Sequence, residues 1–193
     1  MTATIVLGYN STAKSWPGEG NEQMKESVVN IGLINPKSPT NVGSVMRAAG
    51  CFKADSVFYT GKRYVRAAQY NTDTQHASRS VSLIGVDSLL EDVPADMKII
   101  CVELVEGAVP LTEFQHPDKA YYIFGPEDGT IQQELLDKSD SVIYVPTIGC
   151  LNLAATVNVV LYDRLAKSNS NIANDELIRQ SRDVNNNRKV KKG

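Results

Sequence analysis

Long apolar runs are missing from this 193-residue chain. No stretch reaches the roughly 18 residues that a bilayer-spanning helix needs, so a membrane partner is not expected. The apolar segment at 3–7, Ala-Thr-Ile-Val-Leu, is too short for the core of a secretory signal, and no Lys or Arg precedes it. The expected compartment is the cytoplasm. Cysteine is scarce: Cys51, Cys101 and Cys150 are odd in number and far apart. With no Cys-x-x-Cys pair, neither a disulfide framework nor a zinc knuckle is indicated. Histidine is limited to His76 and His116, a poor basis for a histidine-rich metal centre, and no metal is expected. Gly-x-Gly-x-x-Gly and Gly-Lys-Ser/Thr are absent too, which speaks against a dinucleotide-binding oxidoreductase and a P-loop. No internal repeat is visible.

What is present is ordinary for a globular chain, with 42% hydrophobic and 22% charged residues. A chain of this length can bury about 70% of its unfolded surface, so its core needs no covalent staples. The net charge of -2 hides an asymmetry. Arg179, Arg182, Arg188, Lys189, Lys191 and Lys192 face one acid, Asp183, giving 179–193 a net +5 and leaving 1–178 at -7. A basic tail on an acidic body suits an electrostatic contact with RNA or DNA. The competing reading of the tail is a solvated end without a partner.

Three regions follow. Residues 1–27 read as an N-terminal extension, with a turn at Trp16-Pro17-Gly18; 28–168 form one domain; 169–193 are a polar, basic tail. Within the domain, short apolar runs recur at Val28–Ile34, Ser56–Tyr59, Val81–Ile84, Ile99–Leu104, Ala120–Phe124 and Val142–Val145. They are rich in β-branched and aromatic residues, and most are nearly continuous, as in strands buried on both faces. Helical patterns lie between several of them, at Asn41–Phe52, Ile131–Lys138 and Leu151–Ala166. The alternation predicts an α/β fold, a mostly parallel sheet with helices on both faces. One further helix is expected within the tail, over Asp175–Asp183.

Parallel sheets bind ligands at the carboxyl ends of their strands, in loops that feed helix N-termini. Three such loops carry unusual residues. In the first, Asn35–Arg47, two prolines hold the chain extended and Thr40 is the expected cap of a helix starting near Asn41. Gly43 removes a side chain where something can approach the backbone, and Arg47 stands about one turn along the same face. The second, Phe124–Gly129, ends a buried strand with a glycine turn that bares backbone and projects Glu127. Thr130 is expected to cap the helix that follows. The third, Pro146–Asn152, holds Gly149, Cys150 and Asn152 at the start of a long apolar helix that also carries Asn158. Cys150 near a helix N-terminus could act as a nucleophile, but no histidine is evidently paired with it, and a small packed residue is the preferred reading.

Taken together, the three loops resemble the signature motifs of the SpoU/TrmH family, in the SPOUT class of RNA methyltransferases. The resemblance spans about residues 28–166. Asn41, Gly43 and Arg47 match the first motif, the Phe124–Gly129 turn with Glu127 the second, and Cys150-Leu151-Asn152 the third. Cys150 stands where the family usually has Ser, and the turn between Val145 and Leu151 is shorter than in many relatives. The resemblance implies a deep trefoil knot in the C-terminal part of the sheet and a homodimer formed through it. It also implies S-adenosylmethionine as cofactor, held mostly by backbone at Glu103, Leu104, Gly125, Val145 and Leu151. Asn41, Glu127 and Asn152 would shape the site, and Arg47 would reach the reacting ribose, from the same or the partner subunit. The implied reaction is methylation of a ribose 2'-hydroxyl. A compact enzyme of this kind points to tRNA. The alternatives are ribosomal RNA, or RNA binding without catalysis.

RNA needs a positive surface. Besides the tail, Lys62, Arg63, Arg66 and Arg79 cluster against one acid, Asp73, with Tyr64 and Tyr70 interleaved. Aromatic rings among arginines can stack on unpaired bases.

Overall fold

The structure, a computed structural model, describes residues 27–68, 81–168 and 174–190. The unit Lys25–Ser168 holds the sheet. Its strands are β1 (Val28–Leu33), β2 (Ser56–Tyr59), β3 (Ser82–Gly85), β4 (Lys98–Val102), β5 (Val109–Pro110), β6 (Lys119–Phe124) and β7 (Ser141–Tyr144). Its helices are α1 (Pro39–Cys51), α2 (Arg63–Ala68), α3 (Gln133–Lys138) and α4 (Leu153–Lys167). The strands form one sheet in the order β3-β2-β1-β6-β4-β7-β5, and each of these pairings is parallel.

The nearly continuous apolar runs are explained by two separate cores. Side chains alternate across a strand, and both faces of this sheet are covered. On one face Val29, Ile31 and Leu33 of β1, Ala120, Tyr122 and Phe124 of β6, Ile100 and Val102 of β4 and Ile143 of β7 meet α1 and α4. Val42, Val45, Met46 and Ala49 supply the buried stripe of α1, and Val157, Val160 and Leu161 that of α4. On the other face Cys101, Tyr121 and Ile123 pack with Leu89, Met97 and Ile131, flanked by Leu135 and Leu136 of α3. The mostly parallel sheet with helices on both faces is thus borne out.

One polar cluster is set into the first core. His116, its side chain 4% exposed, lies 2.6 Å from the Tyr122 hydroxyl through Nδ1 and 2.9 Å from Asp163 through Nε2. The carboxylate assigns the proton to Nε2, so Nδ1 accepts from the Tyr122 hydroxyl, and that oxygen accepts from Arg164 at 3.1 Å. Arg164 also donates to the Pro117 carbonyl at 2.6 Å. Burial lowers the His116 pKa and outweighs Asp163, which raises it, and burial pushes the Tyr122 phenol up to about 12. The cluster ties β6 and the loop before it to the C-terminal half of α4.

Element ends differ from expectation for local reasons. Helix α1 begins at Pro39 because Ser38, not Thr40, is the cap, accepting from the Asn41 amide at 3.3 Å. Helix α3 begins at Gln133 rather than Ile131: Ile131 is buried in the second core and its amide is held by a carboxylate from another loop. Thr130 is no cap, since its hydroxyl donates to the Ile131 carbonyl. Helix α4 starts at Leu153 with Asn152 as cap. Helix α2 and strand β5 are not foreshadowed by the pattern; six residues and two residues are too short to show a period.

The second unit is described over 174–190, and there α5 (Asp175–Ser181) is capped by Asn174, which accepts from the Leu177 amide at 2.8 Å. Glu176 and Arg179 pair along its surface, and none of its residues is buried. Among the described residues no helix is long and apolar enough to cross a membrane.

Candidate active site

β1, β6, β4 and β7 are neighbours in a parallel sheet, so the loops after them emerge side by side at one rim. The loop after β4 joins the three motif loops there. Glu103, Leu104, Gly125, Val145 and Leu151 all line a single open-sided cleft of about 180 Å³. Glu127 and Cys150 line it as well. The five positions expected to hold a cofactor are therefore together in space.

Glu103 organises the cleft wall. One carboxylate oxygen accepts from the Ile131 amide at 2.9 Å and the other from the Leu104 amide at 3.0 Å. Gly125 lies directly against it, and a Cβ there would stand 2.9 Å from the Glu103 Oε2. Close approach, not a positive φ, is what favours glycine at this place, since the Glu103 carboxylate would have to shift to admit a Cβ. Leu104 is 52% exposed and Leu151 39%, leaving apolar surface at the cleft for a flat ligand to cover.

Glu127 joins the second loop to the first. Its carboxylate accepts from the amides of Lys37 at 2.9 Å and Ser38 at 3.1 Å, and from the Asn41 side chain at 3.3 Å. Partial burial pushes the Glu127 pKa up, but these hydrogen bonds outweigh it and hold the group below the usual carboxylate range. Asn41 is thus pinned at the start of α1 by the turn that rims the cleft. Asn152 uses its side-chain oxygen to cap α4, accepting from the Ala155 amide at 2.8 Å. Asn158, the other amide of that helix, donates to the Ala154 carbonyl.

Arg47 is the exception. It lies exposed in the middle of α1, outside the cleft lining, and its guanidinium has no ion-pair or hydrogen-bond partner among the described residues. Cys150 is exposed at the cleft. The histidine present among the described residues, His116, is buried in the Tyr122–Asp163 cluster, so among those residues no imidazole base stands by the thiol.

Of the expected RNA-binding residues, Lys62 and Arg66 are exposed and have no ion-pair partner among the described residues. Arg63 is engaged: its fork meets both Asp128 oxygens, at 2.8 and 2.9 Å. Arg79 and Tyr70 lie outside the described residues, as do residues 169–173 and 191–193 of the tail. Asp128 was not singled out in the sequence; its adjacency to Glu127 on a glycine-bounded turn was the available signal. Thr156, also in the cleft lining, stands one helical turn after Asn152, a spacing that could have found it.

The chain is similar to proteins already known. A protein of Mycoplasma pneumoniae named "Putative tRNA (cytidine(34)-2'-O)-methyltransferase" is 27% identical over 160 residues, covering 76% of this chain and 94% of that one. An AdoMet-bound rRNA methyltransferase from Sinorhizobium meliloti superposes with a TM-score of 0.60 at 18% identity, over 76% of this chain and 59% of that one. A structure solved to explain 2-OH methylation of C/U34 on tRNA superposes at 0.59 with 24% identity, over 74% of this chain and 97% of that one. The model of the SpoU rRNA Methylase family matches residues 28–162, the whole of the sheet and the first two thirds of α4, and the chain belongs to that family.

Proposed function

We propose that this protein is an S-adenosylmethionine-dependent methyltransferase acting on a ribose 2'-hydroxyl of tRNA. The observation that carries the reading is the convergence of the second and third motif loops and the Glu103–Leu104 segment on one cleft, with the first motif loop tied to its rim through Glu127. The names of two similar proteins, which specify nucleotide 34 of tRNA, favour the anticodon loop as the target. A tRNA substrate is consistent with a cytoplasmic location.

The cleft suits the cofactor. Exposed Leu104 and Leu151 offer apolar cover for an adenine, and Gly125, with no side chain, bares its backbone at the cleft. Glu103, Leu104, Gly125, Val145 and Leu151 would hold it. When bound, S-adenosylmethionine supplies a methyl group already activated on a sulfonium. The protein must then align the ribose oxygen and stabilise the charge that grows on it. Alignment of this kind can supply about 7–11 kcal/mol of a barrier. Glu127 and Asn41 hold the start of α1 against the cleft rim, and Asn152 fixes the start of α4.

Arg47 is the proposed electrostatic stabiliser of the forming alkoxide and clamp of the adjacent phosphate. A guanidinium with a pKa above about 12 is a poor base. Arg47 lies outside the cleft of its own chain, which supports its acting in the site of a second subunit. A homodimer is further supported by apolar side chains left exposed on α4, Val159 and Tyr162. The deep knot belongs to this proposal as well.

Transfer of labelled methyl from S-adenosylmethionine to a tRNA pool tests the reading, with mapping of ribose methylation at nucleotide 34. Methylation of ribosomal RNA alone would redirect the substrate. RNA binding without transfer would replace the enzyme with a binding protein. Arg47→Lys should retain charge yet lose most turnover, because the fork is gone; near-normal turnover would sink the bidentate clamp. Mixing Arg47→Ala subunits with Gly125→Leu subunits should restore activity if Arg47 serves its partner, and should restore none if it acts within its own chain.

A further inference from the structure

Asp128 sits on the turn that rims the cleft, yet it faces the other way, toward α2. Both oxygens of its carboxylate receive Arg63, at 2.8 and 2.9 Å, and Lys37 Nζ lies 3.7 Å from Oδ2. A two-point guanidinium–carboxylate contact fixes orientation as well as distance. Helix α2 needs such a fix. None of its residues is buried. Beyond its contact with α1, it is also held by Tyr64, which packs edge-on against Tyr59 with ring centroids 5.2 Å apart. The side chains of Arg63 and Asp128 are 32% and 50% exposed, and exposed pairs contribute little to global stability. The consequence of this pair is therefore local: where α2 lies, and where its flanking cations point.

We propose that Asp128 is a positioning residue for the RNA substrate: through Arg63 it sets α2 so that Lys62 and Arg66 present their charges beside the cleft. The turn 125–129 then has two jobs. Glu127 secures the Lys37–Asn41 loop, and the neighbouring Asp128 secures α2, so the elements flanking the cleft are referenced to one turn. Arg63 is in this account a tie rather than a phosphate contact, unlike Lys62 and Arg66. The proposal rests on the reading of this protein as a tRNA methyltransferase.

Asp128→Asn tests it, with tRNA affinity read by anisotropy and methyl transfer read by steady-state kinetics. The Kd and KM for tRNA should rise about fivefold or more, and the salt dependence of binding should flatten, as lost phosphate contacts require. At saturating tRNA, kcat should stay within about twofold, the Kd for S-adenosylmethionine should not change, and Tm should move by less than about 2 °C. The exchanged pair Arg63→Asp with Asp128→Arg should recover most of the lost affinity. Tighter or equal tRNA binding by Asp128→Asn would overturn the proposal, since Asp128 would then be restraining Arg63 or doing nothing. A matching loss of cofactor affinity would overturn it by placing Asp128 in the cleft. An exchanged pair as weak as the single variant would overturn it by making Arg63 itself the RNA contact. Wild-type protein that neither binds nor methylates tRNA would sink the underlying reading first; wild-type activity with an indifferent variant would sink this proposal alone.

Discussion

Gly43 and Gly125 look alike in the sequence, each small and each inside a motif loop, yet they answer to different constraints. A Cβ on Gly125 would meet Glu103 at 2.9 Å and the Ile131 Cγ1 at 3.3 Å, whereas nothing lies within 4 Å of one on Gly43. Gly125→Ala should therefore displace Glu103 from the Ile131 amide and weaken cofactor binding about tenfold, a loss typical of one disturbed charged hydrogen bond; calorimetric titration with S-adenosylmethionine measures it. Gly43→Ala should instead raise the stability of α1 by about 0.5–1 kcal/mol, as in any exposed helix interior. If methyl transfer falls while Tm rises, the open space at Gly43 is filled in the working enzyme by substrate or a second subunit. Residue identities such as Asn41, Glu127 and Asn152 could be read in the sequence because the motif named them. Their partners could not. That Glu127 would grip two amides and Asn41 across an interval of 86 to 90 residues is a consequence of the sheet order.

At the scale of elements, the six apolar runs located six of the seven strands: five hold buried residues, and β3, with none, was marked by the buried Val81 just before it. β5 escaped notice, since Val109 is 40% exposed and the strand is two residues long. Boundaries shifted wherever a side chain from elsewhere took a backbone group, as Glu103 did with the Ile131 amide. The His116 cluster makes a separate claim on β6 and α4. The imidazole is held neutral by burial, so its folded pKa lies below the unfolded value near 6.5. Below pH 6.5 the unfolded chain binds a proton that the folded chain resists, and stability falls as pH falls from 6.5 toward the lowered pKa. Thermal melts of the wild type should show Tm declining between pH 7 and 5.5. His116→Gln should be less stable at pH 7, having lost a buried hydrogen-bonded ring, and should be flatter over that window. An equally steep decline in the variant would assign the effect to another group.

At the scale of the whole molecule, charge is divided unequally. The sheet-bearing part is acidic, and basic residues gather in the C-terminal segment that includes Arg179, Arg182, Arg188 and Lys189. The α/β class was legible because composition and period depend on burial alone. The gathering of three loops on one cleft, with a fourth tied to its rim by Glu127, was legible only through the motif resemblance, because loop convergence depends on which strands are neighbours. Removal of residues 184–193 takes away four Lys/Arg, Arg188, Lys189, Lys191 and Lys192. If they meet phosphate, tRNA affinity should drop and the slope of log Kd against log salt should lessen by about 0.9 for each lost contact. An unchanged affinity and slope would assign the tail no part in binding.

The two cores impose a rule of parity on this chain. In β1 the odd-numbered Val29, Ile31 and Leu33 belong to one core, while in β4 and β6 it is the even-numbered Ile100, Val102, Ala120, Tyr122 and Phe124. Inserting or deleting one residue within such a strand would send every side chain beyond that point to the wrong side. Tolerated changes in length are thereby driven past the strand tips. In a parallel sheet half of those tips form the edge that touches substrate, so divergence among descendants of this scaffold would be written first in what they grip, while the interior that supports the grip is kept in step.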